Sequence, residues 1–375
     1  MPTEPAPNQK MINQVVSSQS LKDQPLLKVD DLKAYFFMDE GTVKAVDGVS
    51  FDVYPGKVVG IVGESGCGKS VTMKAILRIL EPSAKIISGK VILRSRVNGD
   101  DPNSPEELIE LTSLHPNSKT LRRIRGSEIA LIPQEPMAAF SPVHTVGSQI
   151  METILLHQEV SKQEARQIAI DVFRAVGISM PEQRIDAYSW ELSGGLRQRA
   201  IIAMALSCNP RLLIADEPTT AIDVTTQAQI LKLLRSLQEE RQMAIIFITH
   251  DLGVIAQMAD EVVVMYLGMV MEKGPVDAIF KNAQHPYTQA LLRSIPSVQS
   301  KSRVKLPTIA GSIAHPFNRP AGCPFHPRCN RFIQGVCNVN QPRLMQMGEE
   351  HFVSCFLYSP EVASPMAPLM EKTHE

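Results

Sequence analysis

Apolar residues alternate with polar ones through Leu26–Tyr35 and again through Val43–Val53. A period of two predicts a pair of antiparallel strands on one sheet face. Val58–Val62 is instead a short unbroken apolar run, which ends in a glycine-rich loop and leads into a helical pattern over Val71–Leu80. That order reads as strand, loop, helix. The stretch Arg94–Leu121 is polar and broken by Asn98-Gly99, Pro102, Pro105 and Pro116. It predicts a surface insertion, with a short helix around Glu106–Leu111. From Ser148 to Leu206 the pattern is mostly helical, clearest in Lys162–Val176, where Ala165, Ile168, Ala169, Val172, Phe173 and Val176 share one face. Strand signals return at Leu212–Ala215 and Ala244–Thr249 around a helical Thr226–Glu240. A hairpin of Val262–Tyr266 and Met269–Lys273, turned at Leu267-Gly268, follows. Beyond Pro296 the periodicity fades into a tail rich in Pro, Gly and Cys, and no internal repeat is present.

Alternating strand and helix signals place the chain in the α/β class. Its 375 residues suffice for one large domain and a smaller appendage. Lys+Arg 38 against Asp+Glu 39 gives a formal net charge of -1, so nothing marks a polyanion partner and no nucleic acid is expected. No apolar run reaches the ~18 residues of a membrane span. The start, MPTEPAPNQK, is polar and lacks a secretory h-region, so residues 1–25 are expected to form a disordered tail on a cytosolic protein. Any membrane contact then goes through a partner. Four of the six cysteines, Cys323, Cys329, Cys337 and Cys355, crowd the tail, and a reducing compartment makes a metal the first reading of such a group.

Three segments carry chemistry. GESGCGKS, Gly63–Ser70, matches the P-loop pattern: two glycines flanking four residues, then Lys and Ser. The glycines let backbone N–H groups curl around phosphate oxygens at a helix N-terminus. In that loop Ser65, Gly66, Cys67, Gly68 and the following Val71 offer backbone donors. Lys69 would reach the outer phosphates, and Ser70 would offer its hydroxyl to Mg²⁺. RLLIADEPTTAID, Arg211–Asp223, has an apolar strand delivering Asp216 and Glu217 to its C-terminal end, where α/β sheets build nucleotide sites. Phosphoryl transfer needs one carboxylate for the metal and one for the attacking water, roles that fit Asp216 and Glu217. ELSGGLRQR, Glu191–Arg199, places Ser193, Gly194 and Gly195 where a helix begins. It can be read as an anion site or simply as a capped helix start.

Together these segments resemble the ABC ATPases, with ELSGGLRQR similar to their LSGGQ signature and Leu196 standing where Gln is usual. The resemblance runs from about Leu26 to Pro296. It narrows to the oligopeptide/dipeptide importers of bacteria and archaea through YFFMDEGTVKAVDGVSF, QEPMAAFSPVHTVGSQI and HPYTQALL. It implies a P-loop core with an antiparallel β subdomain, an ATPase domain over 26–296 that includes a helical subdomain at about 135–206, and a Cys-rich extension over 297–375. It also implies roles for single residues. Gln134 would contact metal and water, and His250 would face the γ-phosphate. Asp223 would be the D-loop aspartate, beside an Ile222 where Leu is usual. Tyr35 would stack on adenine, though Phe36 is adjacent. Ser193, Gly194 and Gly195 would bind ATP held by an opposing subunit.

The tail spacing C-x5-C-x7-C-x17-C lacks the paired geometry of common zinc sites. Four thiolates suit either metal, and spacing does not choose. The resemblance implies a 4Fe–4S cluster on Cys323, Cys329, Cys337 and Cys355, with Zn²⁺ as the alternative. So short a tail is expected to bury little core and to form a flap clamped by metal. The remaining implications concern partners: two transmembrane permease subunits, a second and non-identical ATPase paired head to tail, an extracytoplasmic solute-binding protein, and a place on the cytoplasmic face of the membrane. Relatives of this branch also carry metal chelates and sugars. A soluble ABC ATPase would need the second ATPase unit, coiled coil or basic arm that this sequence lacks.

Overall fold

The computed structural model describes residues 24–96, 104–135, 139–220, 222–295 and 309–359. The Asn98-Gly99 turn and nearly all of the expected tail 1–25 lie outside them. β1 (Leu27–Met38) and β2 (Gly41–Val53) form the antiparallel pair expected from their alternation. With β4 (Ala84–Arg96) and β5 (Glu106–Glu110) they complete a four-stranded sheet ordered β2-β1-β4-β5.

The helix expected around Glu106–Leu111 is therefore a strand. Its residues pair antiparallel with β4, from Arg96↔Glu106 to Ile92↔Glu110. Glu106 also binds Arg94 and Arg211, whose side chains are 4% and 14% exposed. Long-range pairing and a nearly buried ion pair override the modest local helix preference of EELIE.

The larger sheet has eight strands, ordered β11 (Met345–Gly348), β12 (His351–Val353), β10 (Met269–Pro275), β9 (Glu261–Tyr266), β3 (Val58–Val62), β8 (Ala244–Ile248), β7 (Leu212–Asp216) and β6 (Ile129–Ile132). Its centre is parallel: β3, β6, β7, β8 and β9. All five residues of β3, β7 and β8 are buried, as strands covered on both faces must be. Their side chains still alternate. Val59, Ile61, Leu212, Ile214 and Ile246 face the core under the four-stranded sheet, and Val58, Val62, Leu213, Ala215 and Phe247 face the helical side.

Helix α1 (Lys69–Ile76) follows β3 and is shorter than its apolar pattern, because the chain turns at Arg78 with φ 56. α2 (Lys119–Ser127) leads into β6. α3 (Val146–His157), α4 (Lys162–Ala175) and α6 (Gly194–Leu206) pack on one another, with the single turn α5 (Pro181–Arg184) between the last two. α7 (Val224–Arg241) and α8 (Leu252–Met258) flank β8.

β10 (Met269–Pro275) closes the expected hairpin with β9 and is followed by α9 (Val276–Lys281) and α10 (Pro286–Arg293). The tail then rejoins the sheet. β12 (His351–Val353) pairs with β10, and β11 (Met345–Gly348) pairs with β12.

The tail thus buries more core than its length predicts, with Cys323, Phe325 and Cys337 in the core of the helical side. Phe325 is fully buried among Tyr266, Tyr287 and His285, at centroid distances of 5.5, 5.2 and 5.9 Å. Burial of one such ring contributes about 2 kcal/mol. Glu272, 0% exposed, accepts the N–H groups of Gln284 and His285 and pairs with His351 at 2.8 Å. A buried carboxylate with three partners meets the condition that makes its burial tolerable.

Candidate active site

The loop after β3 is shaped by glycine. Gly68 caps α1 at φ 100, and a Cβ there would lie 2.1 Å from the Ala45 carbonyl oxygen. At Gly63 a Cβ would lie 2.2 Å from the Met265 carbonyl oxygen, so no larger residue fits either position. Lys69 is buried, and its ammonium donates to the carbonyls of Gly63 at 2.8 Å and Glu64 at 3.2 Å. The loop therefore holds its own lysine at its centre, where an entering phosphate can compete for it. Burial pushes the Cys67 thiol up, which makes it a neutral packing group.

The outer side of the loop is braced from afar. Both carboxylate oxygens of Glu64 accept from Arg328, at 2.7 and 3.0 Å, and the Glu64 N–H donates to the Tyr287 hydroxyl at 3.0 Å. Tyr287 belongs to HPYTQALL. In that segment the His285 ring nitrogen accepts the Tyr287 N–H at 3.0 Å, and burial holds His285 neutral by lowering its pKa to about 3.

β7 ends at the two acidic residues. Asp216 is buried, and burial raises its pKa against the lowering effect of a hydrogen bond from Ser70. Its Oδ1 has no hydrogen-bond partner. An orphaned buried carboxylate oxygen beside a serine hydroxyl fits Mg²⁺, whose hard oxygen ligands these are. Glu217 occupies a left-handed backbone conformation, φ 49, a strained position of the kind that clusters at functional sites. Its Oε2 accepts from Thr220 at 2.9 Å, and its Oε1 lies 3.3 Å from His250 Nδ1. Burial would raise this carboxyl, but those two hydrogen bonds and the nearby charges of His250 and Lys69 leave it lowered, hence ionised. His250 itself is 64% exposed.

One cavity gathers Ser65, Gly66, Cys67, Gly68, Lys69, Ser70, Val71, Gln134 and Glu217. Gly63, Asp216 and His250 border it through the contacts above without lining it. The signature residues stand elsewhere. Ser193 caps α6 by accepting the Leu196 N–H at 3.4 Å, and a Cβ on Gly194 would meet nothing within 4 Å. Gly195 lies beside Thr226, whose N–H Asp223 accepts at 2.9 Å as the cap of α7. The tyrosine expected at the base is held back from the cavity wall: the Tyr35 hydroxyl donates to Asp47 at 2.7 Å.

The rest of the cavity was not visible in the sequence motifs. Val43, Lys44 and Ala45 of β2 line it, as do the Leu267-Gly268 turn and, from the tail, Pro316 and Arg319. A turn is all that the sequence shows at Leu267-Gly268, and nothing local distinguishes Arg319.

All four tail cysteines are free thiols. Burial raises them at Cys323, to about 12, and at Cys355, to about 11, and the neighbouring thiols add to both shifts. They sit close enough to feel one another, yet among the described residues no group of three or more His, Cys, Asp or Glu side chains is arranged to hold a metal ion. The donor chemistry suits a metal, but the geometry is not a ready cage.

Comparison with known proteins agrees with this arrangement. Residues 46–220 match the model described as ABC transporter, and residues 271–337 match oligopeptide/dipeptide transporter, C-terminal region. The chain is 45% identical to the oligopeptide transport ATP-binding protein AppD of Bacillus subtilis, over 90% of this chain and 98% of that protein. It is 42% identical to the dipeptide transport ATP-binding protein DppD of Escherichia coli, over 88% and 96%. Among solved structures, the dimeric bacterial ABC transporter cassette MJ0796 is similar at a TM-score of 0.56 and 25% identity, covering 67% of this chain and 98% of that one. The cbiO1 protein of Clostridium perfringens, part of the cbiONQ ABC transporter complex, is similar at 0.55 and 26%, covering 69% and 92%.

Proposed function

The chain belongs to the ATP-binding subunits of oligopeptide/dipeptide ABC transporters, and on that premise we propose that it binds and hydrolyses ATP to drive import of di- or oligopeptides. The carrying observation is the convergence of Lys69, Ser70 and Glu217 on one cavity, with Asp216 hydrogen-bonded to Ser70 at its border. Phosphate oxygens displace the Gly63 and Glu64 carbonyls from the Lys69 ammonium and take the N–H groups of the loop. Ser70 and the free oxygen of Asp216 would hold Mg²⁺, which neutralises charge on the outer phosphates when bound. Glu217 accepts a proton from the water that attacks the γ-phosphorus, while the bond to the bridging oxygen breaks and ADP leaves. His250, on the other side of Glu217, orients that carboxylate. Gln134 reaches the same cavity from the strand that precedes the helical subdomain.

Ser193, Gly194 and Gly195 lie off this cavity, so they act on ATP held by an opposing ATPase, and Asp223 stands beside them at the same surface. The partners are two permease subunits and a second, non-identical ATPase, with a solute-binding protein outside the membrane. Leu155 and Leu156, exposed on α3, are apolar contacts available to a permease. Attachment to the cytoplasmic face runs through those subunits; no helix among the described residues is long and apolar enough to cross a membrane. The four tail thiols carry a 4Fe–4S cluster. What supports that reading is the soft thiolate donor set and the resemblance of the tail to that of peptide-importer ATPases; the thiols would have to close around the cluster, and Zn²⁺ is the alternative.

One preparation tests this. The tagged protein is isolated from native membranes without oxygen. We expect two membrane subunits, a second ATPase and about four irons per chain to co-purify, with peptide-dependent ATP hydrolysis. Recovery as a soluble homodimer would overturn the assembly, and stoichiometric zinc without iron would overturn the cluster.

A further inference from the structure

The nucleotide cavity has a wall that the three motifs do not supply. Ser65 to Val71 take the phosphates, and Gln134 and Glu217 stand where hydrolysis occurs. The lining that remains for the nucleoside is Val43–Ala45, Leu267-Gly268, and Pro316 and Arg319 from the tail. Arg319 is also the one cation on this stretch that the protein holds in place by an ion pair: its Nη1 donates to Asp47 Oδ2 at 2.9 Å, and its Nη2 rests against the Met269 sulfur. Asp47 uses its other oxygen to accept the Tyr35 hydroxyl at 2.7 Å. One carboxylate thus fixes both an aromatic ring and a guanidinium, and the ion-paired side chains are only 14% and 12% exposed. The Asp47 N–H is in turn held by the Gly268 carbonyl at 2.7 Å.

Asp47 and Met269 hold the two terminal nitrogens of this guanidinium, and the residue still lines the cavity. Such a group can stack on a purine or donate to ribose oxygens, and it has already lost the rotamer freedom that binding would otherwise cost.

We propose that Arg319, held in place by Asp47, is a nucleoside-binding residue, so that the C-terminal extension completes the ATP site within the same chain. The proposal rests on the cavity being the ATP site. It gives the tail a role in nucleotide recognition that does not depend on its cysteines.

The test compares ATP, ADP and inorganic triphosphate binding to the full chain by titration calorimetry. In Arg319→Ala, ATP and ADP should each bind about tenfold more weakly, the scale of one lost anchoring contact. Triphosphate, which has no nucleoside, should bind as in the wild type. Lys69→Ala should weaken all three. Wild-type affinity of Arg319→Ala for ATP, or an equal loss for triphosphate, would overturn the proposal. If Lys69→Ala leaves all three unchanged, the cavity is not the ATP site and the underlying reading fails instead. Should Arg319→Ala not fold, Arg319→Lys decides. It can keep the Asp47 pair but loses the planar face, so nucleoside-dependent loss of several-fold supports the proposal and unchanged ATP affinity refutes it.

Discussion

The P-loop and the signature are both glycine-rich turns that open a helix, yet the protein builds them in opposite ways. At Gly63 and Gly68 an added Cβ would run into a backbone carbonyl of the same chain at 2.2 and 2.1 Å. The loop is enclosed, its lysine is satisfied by its own carbonyls, and Glu64 is clamped by Arg328. At Gly194 an added Cβ would meet nothing, and Ser193 is exposed. The first turn is complete in one chain, whereas the second has a free face. Gly66 of the P-loop is also open, but onto the cavity of its own chain, whereas the open space at Gly194 lies off that cavity and is available to a group from outside the chain. This is the physical ground for reading the signature as half of a site that a second ATPase completes.

The largest expected break in this contrast is at Glu217, on the enclosed side. Glu217→Gln removes the base and keeps Lys69, Ser70 and Asp216. Turnover should fall about a thousandfold, roughly 4 kcal/mol on the barrier, with ATP affinity within a few-fold of wild type. Near-normal hydrolysis in the purified variant would separate Glu217 from the chemistry.

Glycine replacement sharpens the contrast directly. Gly68→Ala places a Cβ against Ala45 at φ 100, so it should cost at least about 2 kcal/mol of stability and abolish nucleotide binding. Gly194→Ala should leave the isolated chain within about 0.5 kcal/mol of wild type, while ATP-dependent pairing drops. Thermal melts and solution mass with ATP read both. Equal destabilisation by the two substitutions would mean that the signature face is not free.

What the sequence reveals and what it hides follow the same division. Strand, P-loop and helix are contiguous, so Val58–Val62, Gly63–Ser70 and α1 are readable from spacing alone. The buried run before Asp216-Glu217 is equally local. Glu106–Glu110 is not: Glu and Leu favour helix modestly, and only its pairing with β4 and the ion pairs to Arg94 and Arg211 make it a strand. The tail is harder still. His351–Val353 is too short for any period to show, and it becomes a strand because β10 offers an edge. Arg319 and Arg328 reach Asp47 and Glu64 across 272 and 264 residues of chain, and no local pattern announces such a contact.

The smallest expected effect is the most selective. Asp216 is buried with one carboxyl oxygen unpartnered, and the Ser70 hydrogen bond and the charges of Lys69 and Lys74 offset its desolvation only in part, so a bound cation would relieve the rest. Asp216→Asn removes that charge at nearly constant volume. Without nucleotide, at neutral pH, the variant should be more stable than wild type by about 1 kcal/mol, the scale of one unsatisfied buried group. Adding Mg²⁺ and ATP should reverse the order, because the wild type gains metal binding energy that the variant cannot, and binding to the folded state alone raises its melting point. The enclosed half of the site would then be poised by a destabilised carboxylate. A variant that melts below wild type in both conditions would show instead that Asp216 is a structural partner of Ser70, with its charge already satisfied before any ligand arrives.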